Sequence, residues 1–171
     1  MKKLFLLLFI FISISLVYGQ TDLNEFKRIQ FINEGFSIGI PQNWEVMKNA
    51  YGKVLIAISP KEHDNDFTEN IIIDVILNKN NGKINDYKRI MIEEVKEMQY
   101  SEIILIQKFK HNQNIETITY DYIQNGIKIR QISYIILWND KVYLIMCAST
   151  PASFDNYIKT FDNIILSFKY M

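Results

Sequence analysis

Between residues 102 and 149 the chain runs through four stretches of alternating apolar side chains separated by short polar breaks, and no other feature limits its fold as strongly. The stretches cover residues 102–109, 115–124, 127–138 and 141–149. Alternation with period two marks a strand that turns one face to a core. Asn125 and Gly126 separate the second stretch from the third; both residues tolerate positive φ, and the pair is the strongest short-range hairpin signal. Asn139 and Asp140 play the same part before Lys141. Strands joined so tightly must be antiparallel neighbours, because a parallel pair needs a crossover of roughly a dozen residues or more. The spacing predicts a meander.

Upstream, Phe26 to Ile32 reads as a strand, Asn33, Glu34 and Gly35 as a turn, and Phe36, Ile38 and Ile40 as a second strand alternating with Ser37 and Gly39. Pro41 ends it, since proline has no amide hydrogen for a ladder. Trp44 and Val46 begin another extended piece, and Val54, Ile56 and Ile58 share a strand face after the turn at Tyr51 and Gly52. The run from Ile71 to Leu77, interrupted only by Asp74, is short and β-branched, which predicts a strand buried on both faces. The period then changes. Tyr87, Ile90, Met91, Val95 and Met98 fall at helical spacing opposite Lys88, Arg89, Glu93, Lys96 and Glu97, which predicts an amphipathic helix over 85–99. Asn85 or Asp86 is the expected cap. Near the C-terminus Thr150 and Pro151 offer an N-cap and a first-turn proline. Phe154, Tyr157, Ile158, Phe161, Ile164, Ile165 and Phe168 follow as a continuous apolar stripe, so this helix is expected to dock.

The chain opens with Lys2 and Lys3 and an unbroken apolar stretch from Leu4 to Ile12 that continues to Tyr18 and Gly19. A basic start and an apolar run of roughly a dozen residues fit a secretory signal, and the run is shorter than the about 20 residues a spanning helix needs. Val17 and Gly19 supply a cleavage pair, and no cysteine follows to carry a lipid. An uncleaved anchor is the alternative, because the usual alanines are missing. Residues 1–19 are therefore expected to be a signal peptide and 20–171 a single domain, periplasmic or secreted in a bacterium, with no stable membrane anchor after cleavage. The 19 basic and 19 acidic residues balance, and loss of Lys2 and Lys3 leaves 17 against 19, a net charge of −2. No basic face large enough to hold nucleic acid is implied. Aromatics make up 13% of the chain against only six glycines and three prolines, so there is ample material for a core. Cys147 is the single cysteine, and no intrachain disulfide can form.

Candidates for chemistry are few. His63 sits in a polar loop with Glu62, Asp64, Asp66 and Glu69; imidazole and carboxylates can hold a divalent cation, but the spacing matches no metal motif, and a solvated loop is the expectation. His111, between Lys110 and Asn112, reads as a surface histidine. Cys147 lies in an apolar strand, where a thiol behaves as a small hydrophobe. No Gly-x-Ser-x-Gly elbow, phosphate loop or Cys-x-x-Cys occurs. Tyr120, Tyr122 and Tyr134, with Arg130 near them in the pairing, are expected either to pack across strands beneath a helix or, if they share an exposed face, to form a binding surface. Trp44 reads as a core plug at the sheet edge. No catalytic, cofactor-binding or metal-binding residue can be named, no cofactor is expected, and the partner-binding residues are unknown.

Gly35, Phe36, Ser37, Ile38, Ile40, Pro41 and Trp44 near the N-terminus, with Phe161, Ile164, Ser167 and Phe168 near the C-terminus, give the chain wording that resembles the PsbP-like family. That resemblance implies an α+β, α/β/α sandwich: a central, mainly antiparallel sheet of six or seven strands with helices on both faces. It also implies an accessory module that binds another envelope or secreted protein in preference to an enzyme. Two rival readings remain: a carrier of a small apolar ligand between sheet and helices, and an enzyme whose residues converge only in space, for which His63 or His111 would have to meet a carboxylate or hydroxyl in a cleft.

Overall fold

The computed structural model describes residues 25–61, 67–79 and 81–171. The predicted signal peptide, residues 1–19, lies outside them. Ten strands and two helices follow in the order β1 (Phe26–Phe31), β2 (Phe36–Pro41), β3 (Glu45–Ala50), β4 (Lys53–Ile58), β5 (Asn70–Leu77), α1 (Ile84–Glu97), β6 (Glu102–Phe109), β7 (Asn112–Gln124), β8 (Ile127–Trp138), β9 (Lys141–Ser149), α2 (Phe154–Leu166) and β10 (Lys169–Tyr170). Seven of the strands form one sheet in the order β3-β4-β5-β9-β8-β7-β6, every neighbouring pair antiparallel. The expected meander is its β6–β9 half, and Asn125 and Gly126 take φ of 53° and 81° at the β7–β8 turn. The fold is α+β, with a helix on each face of the seven-stranded sheet as the resemblance implied.

The two faces are covered differently. On one, Met91 and Val95 of α1 pack on Ile118, Tyr120, Ile135 and Val142. On the other, α2 shares its cover with a second, three-stranded sheet in the order β1-β2-β10, and this sheet was not foreseen. Phe36, Ile38 and Ile40 of β2 meet Leu55, Ile71, Ile73, Tyr143 and Ile145 of the large sheet and Phe161, Ile164 and Ile165 of α2 in the main core. The two clusters of family-like wording are thereby brought together. The Phe36 ring is stacked on Phe31 at 4.8 Å and on Phe168 at 5.2 Å, and the Gly39 amide donates to Ser167 Oγ at 2.7 Å. A Cβ at Gly39 would lie 3.1 Å from that oxygen and 3.2 Å from Ser167 Cβ, so β2 carries glycine where the end of α2 presses on it.

Three local expectations need correction. Ile71 and Ile73 are buried, but Ile72 is only half-buried and Ile76 and Leu77 are exposed, so β5 is buried on one face. The reason is that α1 lies over β6, β7 and β8 and does not extend across β5. The first helix begins after Lys83, and Asp86 acts from its third position by accepting the Lys83 amide at 2.8 Å. The second begins after Ser153, not Thr150. Residues 151–153 form a turn in which Thr150 Oγ1 accepts the Ser153 amide at 3.2 Å, and the Ser153 hydroxyl donates to Glu69 Oε1 at 2.8 Å.

Candidate functional site

That last contact settles the fate of Glu69. The residue is buried and accepts from Ser59 and Ser153, joining the start of β5 to the start of α2; it is a structural acceptor and not part of a solvated loop. Glu62, His63, Asp64 and Asp66 lie outside the described residues. Among the described residues no group of three or more His, Cys, Asp or Glu side chains is placed to hold a metal.

The remaining candidates are dispersed by strand parity. Tyr120 and Tyr122 lie with the α1-side cluster, where Gln131 donates to the Tyr120 hydroxyl. Tyr134 is on the opposite face, fully buried, its hydroxyl donating to Asp162 Oδ1 at 3.0 Å. The expected cross-strand packing holds, and no single face carries all three rings. Burial pushes the Tyr122 hydroxyl up to about 12 and the Tyr134 hydroxyl higher still, so both remain protonated donors. Arg130 grips Asp121 through two hydrogen bonds, of 2.7 and 3.0 Å. Lys128 adds an ion pair to the same carboxylate at 3.0 Å. Burial acts to raise the Asp121 carboxyl, but these hydrogen bonds outweigh it and hold it below its ordinary value.

Cys147 is buried, and burial first and the nearby Asp162 second raise its thiol well above the ordinary range. Such a group is a packed hydrophobe and not a nucleophile. Trp44 is buried within 6.4 Å of Tyr157, as a core plug should be. His111 is exposed, its ring edge-on to Phe109 at 5.3 Å, and it has no hydrogen bond or ion pair among the described residues.

Two surfaces are built where β6 closes the sheet. The first is the edge itself. β6 pairs with β7 on one side only, and Ile104, Leu105 and Ile106 are 44%, 46% and 42% exposed. A shift of register between Ile103 and Leu105 places a bulge at the head of this run. The second is an open groove of about 670 Å³ at the neighbouring end of the sandwich. The first two turns of α1 supply Ile84, Asn85 and Lys88, the β6–β7 hairpin Lys108, Asn112, Gln113, Asn114 and Glu116, and the far ends of β8 and β10 Leu137, Trp138 and Tyr170. Trp138 and Tyr170 are stacked at 4.0 Å with 14° between their planes. Glu116 is buried and receives Lys88 Nζ at 3.0 Å. Beside the groove lies a smaller pocket of about 130 Å³, lined by Phe109, Ile136, Ile165 and Phe168 together with His111 and Asn112. Sequence reading missed the groove; its only linear trace is the amide run Asn112, Gln113, Asn114, which reads as a polar turn.

No family model and no curated protein matches the sequence. Solved structures do match. The solution structure of cyanobacterial PsbP (CyanoP) from Synechocystis sp. PCC 6803 superposes with a TM-score of 0.64 at 14% identity, over 90% of this chain and 96% of that one. LpqN of Mycobacterium tuberculosis, described as involved in cell envelope biogenesis, gives 0.58 at 10% identity over 84% and 89%. The Ran-binding protein Mog1p of Saccharomyces cerevisiae gives 0.61 at 8% over 85% and 95%. These superpositions, which cover most of both chains, establish that this chain has the PsbP-like fold.

Proposed function

We propose that the chain is exported and works outside the cytoplasm as a non-enzymatic accessory module that docks another envelope or secreted protein along β6. The observation that carries the reading is the open edge at Ile104, Leu105 and Ile106, apolar on consecutive residues and therefore on both faces of the strand. Exposed edges of this kind recruit an extended segment of a partner, main-chain hydrogen bonds giving affinity and side-chain contacts giving specificity. Export is supported by the basic and apolar N-terminus and fits the shared fold of LpqN, whose described role is in the envelope. The description of Mog1p, which shares this fold, as Ran-binding supports the reading as a binding module. Among the described residues no helix is long and apolar enough to cross a membrane. The carrier reading finds little support in the smaller pocket, whose lining includes His111 and Asn112 and whose roughly 130 Å³ falls below the about 300 Å³ at which ligand pockets begin.

The test is site-specific photo-crosslinking from position 105 in the intact envelope. The expected result is one discrete adduct with another protein, lost in Ile106→Lys while the variant melts at the unchanged temperature. A lone monomer with no adduct would overturn the reading.

A further inference from the structure

The groove beside α1 has no part in edge docking, and its chemistry selects a ligand. Its formal charges nearly cancel, because, of the charged side chains lining it, Lys88 is committed to Glu116 and Lys108 alone has no ion pair with a described residue. One free cation is too little for a polyphosphate, which needs several charge-assisted donors. One carboxylate already held by a lysine is no metal site.

What remains is suited to a ring rich in hydroxyls. The side-chain amides of Asn85 and Asn114 carry no hydrogen bond among the described residues, and each presents both donors and an acceptor. Glu116, although buried, uses only Oε2 on Lys88, so Oε1 is left as an acceptor on the groove wall. In the same groove Trp138 is 44% exposed and is stacked on one side against Tyr170, which restrains the indole as an apolar platform. A pyranose has this same division: an apolar face of C–H bonds for the indole and a rim of hydroxyls for amides and carboxylate. The volume of about 670 Å³ lies within the range of small-molecule sites.

We infer that the groove is an oligosaccharide-binding site, with Trp138 as the stacking platform, Asn85, Asn114 and Glu116 as the hydroxyl readers, and Lys108 favouring sugars that carry a carboxylate. The proposal is independent of docking at β6, and its test uses the purified protein with no partner present.

Isothermal titration of protein produced from the full-length gene, with tetragalacturonate and with the N-acetylglucosamine tetramer as probes, decides it. Both sugars are expected to bind saturably, the acidic one more tightly. Trp138→Ala is expected to weaken both at least tenfold, with Trp138→Phe recovering part of the loss. Lys108→Ala is expected to abolish the preference for the acidic sugar while leaving the neutral one within about twofold. Melting curves identify any variant that fails to fold, and Asn85→Ala, on an exposed position of α1, gives a second reading if Trp138→Ala does. Absence of binding by either sugar, or binding that Trp138→Ala and Asn85→Ala both leave unchanged, would overturn the assignment.

Discussion

The two edges of the seven-stranded sheet are finished in opposite ways. At the β3 edge, Glu45, Lys48 and Asn49 are exposed and polar, and neighbouring elements hold the strand down. Lys27 Nζ donates to the Trp44 carbonyl at 2.6 Å, Lys48 Nζ stands 5.4 Å over the Phe31 ring, and Trp44 plugs the core. At the β6 edge the strand is eight residues long against six, and three consecutive apolar residues face solvent between the exposed Glu102 and Lys108, with a bulge at the head of the run. Natural sheets ordinarily blunt their edges with charge, bulges or cover. The β3 edge is polar and tied down by its neighbours, whereas the middle of the β6 edge is apolar and exposed; that difference is what the proposed docking at β6 rests on.

The sharpest way to break that contrast is to remove the plug. Trp44→Ala deletes a buried indole from the main core, and the expected loss is about 3–5 kcal/mol, the range for buried aromatics replaced by alanine. Denaturant midpoints measure it. Leu105→Ala in β6, nearly half exposed, is expected to cost less than about 1 kcal/mol, since most of its apolar surface is already in water. Equal losses at the two edges would mean that β6 is covered in solution and the contrast is false.

An intermediate effect comes from the ion pair that ties β7, the partner of β6, to β8. Asp121 stands opposite Glu102 of β6 and Arg130 of β8. Arg130→Ala leaves a buried carboxylate with Lys128 as its remaining cation, at an expected cost of about 1.5–3 kcal/mol, the value of hydrogen bonds to a charged group. The sign of the pH dependence follows from the lowered carboxyl: a group more acidic folded than unfolded contributes in full above its ordinary unfolded value. That contribution is lost as the pH falls from there through the lowered folded value. Stability measured across the acid limb should therefore fall less steeply in Asp121→Asn than in the parent. An unchanged slope would show that Asp121 is not held as the structure has it.

The same comparison shows what a sequence of this kind discloses. The β6–β9 meander was legible because Asn125 and Gly126 permit only a two-residue connection, and α1 because its apolar spacing is regular over 14 residues. Even the separation of the tyrosines was implicit. A two-residue turn pairs Gln124 with Ile127, which sets Tyr120 opposite Gln131 and Tyr134 opposite Thr117, on different faces of the sheet. The small sheet was not legible, because β10 is two exposed residues with no period to read and its register is set by packing against β2. The groove was hidden for a related reason. Asn85, Lys108, Glu116, Trp138 and Tyr170 come from five elements and are adjacent only once the sheet has assembled. The half-buried face of β5 is the third such case, since whether α1 extends over it depends on how the helix crosses the sheet and not on the strand's composition.

The smallest effect is the most telling for the open edge. Ile104→Lys places a charge on an exposed residue at the bulge of β6, where surface substitutions normally stay within about 0.5 kcal/mol. Its influence on association should be much larger than its influence on stability, because an ammonium on an edge strand opposes pairing with any incoming segment. Thermal melting is therefore expected to be unchanged while the adduct formed from position 105 disappears. Hydrogen exchange distinguishes a blocked edge from a displaced one: the outward amides of β6 should exchange fast in parent and variant alike, and those bonded to β7 slowly in both. Slow exchange at the outward amides of the isolated parent would mean that another part of the chain already occupies the edge. The contrast with β3 would then be one of different covers and not of closed against open.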